Sequence, residues 1–244
     1  MAKEIVLSAR SLSLPAWVGG GRTIAAQDLA LDGAAAAEVR LLDGQLRPDV
    51  RVGGHAGTAP LDALYVEIRV THAVDNEKAD RVRAAGLSMI EIDLSEVTDE
   101  QAVDAESFAE LVLHRQENRR WIHLHAPEFM ATMLDDDIFE IKSIDTFRHD
   151  VPTRTGNTMH FTKQRAVRHR AGEDQVPIEI EIADTYDADG QRIDGFGQLL
   201  PYRPGLYRRN WDARATSYWD RTFNFKTYLT PLVSPLPVPQ GQLF

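Results

Sequence analysis

Asp49, in Arg47-Pro48-Asp49-Val50, and Glu67, in Tyr65-Val66-Glu67-Ile68-Arg69-Val70, are carboxylates carried by two strand-like segments. Side by side on a sheet they would bind a divalent metal, and Mg2+ or Mn2+ suits such hard oxygen ligands, Mg2+ usually taking one or two protein carboxylates. A metal held in this way neutralises charge on a phosphate and lowers the pKa of an attacking water, which points to phosphodiester hydrolysis. The reaction also needs a cation near the developing pentacovalent centre. Arg69, two residues beyond Glu67 and so on the same strand face, is one candidate. It stays protonated under essentially all conditions, so it can stabilise negative charge but cannot act as a general base. Lys78, early in the segment that follows, is the alternative source. His72 ends the strand, where it would position a water or contact a phosphate, or bond a backbone group. The plain structural alternative makes Asp49 and Arg51 hairpin-edge residues and leaves Glu67 in a solvated ion pair with Arg69 or Arg47.

The elements that must position these groups are legible as patterns. Glu38–Leu42 reads as a strand, Asp43-Gly44 as a tight hairpin turn and Leu46–Val52 as the returning strand. Gly53, Gly54, Gly57 and Pro60 predict a loop. Leu64–Val70 alternates, with Leu64, Val66, Ile68 and Val70 on one face and Tyr65, Glu67 and Arg69 on the other. Asp75 caps a predicted helix to about Ala85 that Gly86 stops, and Met89–Leu94 is the next strand, with Ile90, Ile92 and Leu94 facing inward. Strand, helix and strand make a βαβ crossover with parallel strands. A longer helix over Ala105–Asn118 and a strand over Trp121–Leu124 follow. Residues 1–36 read as an arm with one short helix over Thr23–Leu31, because Pro15 and Gly19-Gly20-Gly21 interrupt any periodicity.

The hairpin, the strand bearing Glu67-Ile68-Arg69, the crossover helix and the fourth strand resemble, in that order, the core of the PD-(D/E)xK nuclease superfamily. Pro48-Asp49 matches its first element and Glu67-Ile68-Arg69 its second. The Arg-Pro-Asp-Val signature, the segment from Glu67 to His72 and the Ile90-Glu91-Ile92-Asp93-Leu94 strand are most similar to the competence-protein CoiA-like branch. The resemblance covers about residues 37–125. It implies an α/β restriction-endonuclease-like core and a Mg2+- or Mn2+-dependent DNA endonuclease, with Asp49 and Glu67 as metal ligands and Arg69, Lys78 and His72 completing the catalytic set. The superfamily usually has lysine where this chain has Arg69, and some branches take the lysine from elsewhere, which gives Lys78 its role here. The superfamily's helical glutamate has no good counterpart before residue 37, and Glu38 is the nearest substitute. These departures support a second reading, a nuclease-like fold without turnover that binds DNA or a protein.

Composition bounds these readings. At 244 residues, with 43% hydrophobic and 26% charged content, the chain is an ordinary globular protein of one or two domains. Without cysteines it has no disulfides, thiolate metal sites or cysteine nucleophiles. No apolar run approaches the ~20 residues that a membrane helix needs, and the N-terminus lacks the pattern of a signal peptide. The expectation is a cytoplasmic protein without a membrane partner. The net charge of −10 is uneven: residues 1–150 carry 15 Lys/Arg against 27 Asp/Glu, and residues 151–244 carry 12 against 10. Any grip on DNA must come from local patches, such as a rim of Arg40, Arg47, Arg51, Lys78, Arg81 and Arg83.

Three segments are expected: the arm over 1–36, the nuclease-like core over 37–128 and a less regular C-terminal region over 129–244. In the last, Tyr202, Tyr207, Trp211, Tyr218, Trp219 and Phe223 are interleaved with Arg203, Arg208, Arg209, Arg214 and Arg221. That texture fits a nucleic-acid surface or a small aromatic core under amphipathic arginines. It also suits a homodimer or other protein interface, and a structural protein assembled through this half is a third reading. His123 and His125 alternate like metal ligands, but no third ligand is evident and the pair reads as structural. Glu91 and Asp93 share a strand face and are either outer ligands or solvated.

Overall fold

Tyr65 and Val66, neighbours in an alternating strand, are both buried, so the sheet at the centre of this protein is covered on both faces. The computed structural model describes residues 1–142, 146–152, 156–186, 188–189, 204–209 and 229–232. They belong to two compact units, Met1–Leu134 and Asp135–Leu232. The architecture is mixed α/β.

In the first unit the chain runs α1 (Ala2–Ser8), β1 (Ser11–Leu14), β2 (Trp17–Gly19), β3 (Arg22–Ile24), β4 (Gln27–Leu31), β5 (Ala36–Ala37), β6 (Val50–Ala56) and β7 (Ala59–Arg69). It continues through α2 (Asn76–Ala84), β8 (Met89–Asp93), α3 (Asp99–Val103), α4 (Ala105–Leu113), β9 (Arg119–His123) and α5 (Pro127–Leu134). The sheet order is β1-β4-β6-β7-β8-β9, with β5 also on β6 and β2-β3 as a separate ribbon. β7 and β8 are parallel and the other pairings of this sheet are antiparallel.

The crossover follows the local signals. The Asp75 carboxylate accepts the Lys78 amide at 2.7 Å, capping α2, and Gly86 ends the turn with φ of +60°. Ala79 and Val82 of α2 pack on Tyr65 and Met89, so α2 lies over the face that carries Glu67 and Arg69. The predicted Ala105–Asn118 helix ends earlier, at Leu113. The buried Arg119 guanidinium explains the stop: it donates to the carbonyls of Val112, Leu113 and Arg115, and to that of Ser13 at 2.6 Å. Burial lowers its pKa to about 10. Arg119→Met would leave these carbonyls without a donor, and the chemical-denaturation midpoint should fall by the equivalent of about 3 kcal/mol or more.

Three expectations are corrected. The Asp43-Gly44 turn exists, closed by a Leu41–Leu46 bridge, but Glu38–Leu42 is not a strand. Glu38 has a φ of +50°, and Val50 and Arg51 pair with Ala37 and Ala36 instead. Gly53 and Gly54 are not a loop: they lie inside β6, where a Cβ on Gly54 would fall 2.1 Å from the Ala30 carbonyl oxygen. Glycine is needed there for close strand approach, and the hairpin turns later, at Gly57, whose φ is +59°. The helix over Thr23–Leu31 is instead the end of β3 and all of β4, and residues 1–36 supply β1 and β4 to the sheet.

The second unit is a sheet where a less regular region was expected. It contains β10 (Ile138–Ile141), β11 (Thr146–Pro152), β12 (Thr158–His169), β13 (Val176–Tyr186), β14 (Gly205–Arg209) and β15 (Leu229–Pro231). The order is β11-β12-β10-β14-β15, all antiparallel, with β13 also on β12. Phe139, Ile141, Ala166, Tyr207 and Leu229 form its core. The strand with the basic stretch, β12, pairs with the strand of the Ile-Glu alternation, β13, and the register sets Lys163 level with Glu181 and Arg165 with Glu179. Arg170 grips the buried Asp137 of the acidic run with two bonds of 2.6 and 2.9 Å. Among the described residues, no helix is long and apolar enough to cross a membrane.

Candidate functional site

Val50 pairs with Val66 across the β6-β7 hairpin, so Asp49, one residue earlier, lies across from Glu67. Glu67 is in turn level with Glu91 on the parallel strand β8, and Arg69 with Asp93. Register therefore gathers Asp49, Glu67, Glu91 and Asp93 within three adjacent strands. Each has a cationic partner.

Lys78 reaches from the first turn of α2 to Glu67 Oε1 at 2.6 Å. Glu67 Oε2 is buried without a donor. Burial raises the Glu67 pKa above the ordinary carboxyl value, outweighing Lys78, with Asp49 and Glu91 adding to the rise. Asp49 accepts the Ile68 amide on Oδ2 at 2.8 Å, and its Oδ1 takes Lys3 Nζ of α1 at 2.7 Å. The same ammonium bonds Glu38 Oε1 at 2.9 Å, and Glu38 also pairs with Arg47. The Asp49 bond, with Glu38, raises the Lys3 pKa. Glu38 therefore stands at the rim, joined to Asp49 through Lys3.

Glu91 is almost wholly buried, accepting the Val74 amide on one oxygen and Arg120 at 2.9 Å on the other. Arg69 is committed to Asp93 at 2.6 Å. Burial would raise the Asp93 carboxyl, but the Ser95 hydroxyl and amide, with Arg69 and Arg120, bring it below its usual value. Asp93 faces a cavity of about 420 Å3 that Glu96, Thr98, Gln101, Arg115 and Asn118 also line. His72 is exposed beyond β7 and its Nδ1 lies 2.9 Å from the Thr71 hydroxyl.

The geometry thus joins Asp49, Glu67 and Lys78, and gives Arg69 and His72 other partners. Mg2+ usually takes one or two protein carboxylates, and Glu67, with one oxygen free of donors and Asp49 across from it in register, fits that requirement. Among the described residues no group of three or more His, Asp or Glu is placed to hold a metal. His123 and His125 have ring centres 6.0 Å apart, and burial pushes His123 down to about 4, so it is neutral near pH 7. Of the expected basic rim, Arg47, Arg81 and Arg83 pair with Glu38, Glu77 and Asp80.

Lys3 and Arg120 were not singled out as site residues from the sequence. α1 is seven residues long, too short for a periodic signal, and Arg120 is recognisable only once β9 is laid against β8. In the second unit Tyr207 and Arg208 of the aromatic-arginine stretch are buried in β14, which is the core reading. Tyr202, Arg203, Trp211, Arg214, Tyr218, Trp219, Arg221 and Phe223 lie outside the described residues. Comparisons with family models, curated proteins and solved structures returned no match for this chain.

Proposed function

We propose that the chain is a Mg2+- or Mn2+-dependent DNA endonuclease built on a restriction-endonuclease-like core. One observation carries the reading: Glu67, across from Asp49, is ion-paired at 2.6 Å to a lysine of the crossover helix while its other oxygen is buried without a donor. The order of hairpin β6-β7, helix α2 and parallel strand β8 supports the core assignment. The reading also takes in the departure at Arg69. On this reading Lys78 of α2 takes the lysine's part, while Arg69 pairs with Asp93 of β8.

Asp49 and Glu67 would hold the metal, which when bound lowers the pKa of water and offsets phosphate charge. Glu67, half-buried like its partner, keeps Lys78 aimed at the site. A Lys78 ammonium beside the scissile group would stabilise charge developing on the phosphate oxygens. The Ile68 amide fixes the orientation of Asp49. Arg120 and the Val74 amide each bond one oxygen of Glu91, which weakens its repulsion of Glu67 without removing it.

The test is cleavage of supercoiled plasmid and of single- and double-stranded oligonucleotides by full-length protein with Mg2+ or Mn2+. Asp49→Ala should lose activity by at least about 100-fold. Cleavage that this variant retains would come from something else and overturn the proposal. The complete pairing of the four carboxylates with Lys3, Lys78, Arg69 and Arg120 favours a second reading, a binding module without turnover. Calorimetry separates the two, because such a module should bind no Mn2+ in a Glu67-dependent way.

A further inference from the structure

We propose that Lys3 of α1 is a second lysine of this site, a built-in counter-ion that a divalent cation displaces from Asp49 and that then binds a phosphate of the DNA strand. The inference rests on the nuclease reading and assigns a role to a residue outside the two motifs that suggested it. Asp49 has two oxygens with different duties. Oδ2 accepts the Ile68 amide and orients the side chain, whereas Oδ1 bonds the Lys3 ammonium at 2.7 Å. A cation that uses Oδ1 must compete with Lys3 there, because two positive charges on one oxygen repel.

The displaced ammonium stays close. Its second bond, at 2.9 Å, is to Glu38, which is more exposed than Asp49 and also carries Arg47. Lys3 is more than one-third exposed on a flexible four-carbon stem, so it can swing about Glu38 while α1 stays packed. Once Asp49 is neutralised by the cation, Lys3 and Arg47 share one exposed carboxylate, and the rim carries a net positive charge next to the site. A phosphate oxygen is the complementary partner. Lys78 and Lys3 then differ in duty: Lys78 comes from the crossover helix to Glu67, and Lys3 from the N-terminal helix to Asp49.

The test uses the untagged 244-residue chain, since a tag fused at Met1 would sit beside Lys3. Mn2+ binding is measured without DNA by paramagnetic resonance for the wild type and for Lys3→Met and Lys3→Arg. Binding of a duplex oligonucleotide is then followed by anisotropy in Ca2+ across a salt series. Lys3→Met should bind Mn2+ about fivefold more tightly, because a competitor for Asp49 is gone. Its log–log salt slope for DNA should be shallower by about 0.9, the signature of one lost phosphate contact. Lys3→Arg should keep the wild-type slope. A purely structural Lys3 would show weakened or unchanged Mn2+ binding on truncation, and that result, or an unchanged slope, overturns the proposal. If Mn2+ binding depends on Asp49 and Glu67 but not on Lys3, only the Lys3 assignment falls. If the wild type binds no Mn2+ through those carboxylates, the nuclease reading fails and takes this inference with it.

Discussion

Lys78→Met should lower single-turnover DNA cleavage by about 10^2- to 10^4-fold, the loss expected when one preorganised cation or proton-transfer group is removed. The reason is positional: α2 is capped by Asp75 at the Lys78 amide, which fixes the first turn and directs the side chain to Glu67. Mn2+ binding should survive the substitution, because Asp49 and Glu67 remain and the ammonium competing for Glu67 is gone. A loss in cleavage without a loss in metal affinity therefore identifies Lys78 as a group acting on the substrate. Arg69→Met gives the contrast. Arg69 is held by Asp93 and its removal should act mainly through stability, leaving the cleavage rate of folded protein within about tenfold. Turnover unchanged by Lys78→Met and abolished by Arg69→Met would return the role to the arginine of the strand.

Glu67→Gln should abolish Mn2+ binding and yet raise the thermal midpoint of the metal-free protein at neutral pH. The fold raises the Glu67 pKa above its ordinary value of 4.5. Glu67 thus adds most to stability when protonated, below that ordinary value, and the contribution is lost as pH rises through the folded value. At pH 7 the ionised group is a net cost, since burial outweighs the Lys78 pair and Oε2 has no donor. Glutamine removes that cost, so in EDTA the midpoint difference should be positive at pH 7 and shrink towards pH 4. With Mn2+ at about 100 times its Kd, the wild type should gain about 2.7 kcal/mol that the variant cannot. Calorimetric scans at the two pH values, with EDTA or Mn2+, read both effects. A variant less stable than wild type in EDTA at pH 7 would mean that Lys78 over-compensates the burial of Glu67, and the expected gain would be refuted.

The sequence by itself determined the βαβ crossover, because its signals are local. Asp75 caps its own helix, Gly86 takes the left-handed turn, and strict alternation marks Leu64–Arg69. It also brought Asp49, Glu67 and Lys78 into one hypothesis, since the first two lie on successive strands and the third on the helix between parallel strands. Local signals were ambiguous where one residue type serves two geometries. Glycine at 53 and 54 suits a loop or a close strand approach, and only the Ala30 carbonyl beside Gly54 decides between them. Asp-Gly at 43 and 44 marks a turn without saying how far its strands extend, and the φ of Glu38 ends one at once.

Tertiary structure alone decided which cation serves which carboxylate. Lys3 and Asp49 are 46 positions apart, and Arg120 and Glu91 are 29 apart. Such pairs form only after strand register and helix packing bring the charges together. Arg69 shows the same dependence from the other side: only parallel pairing sets it level with Asp93, its ion-pair partner. Periodicity along a chain reports which face a side chain occupies, whereas the charge opposite it depends on contacts between distant segments.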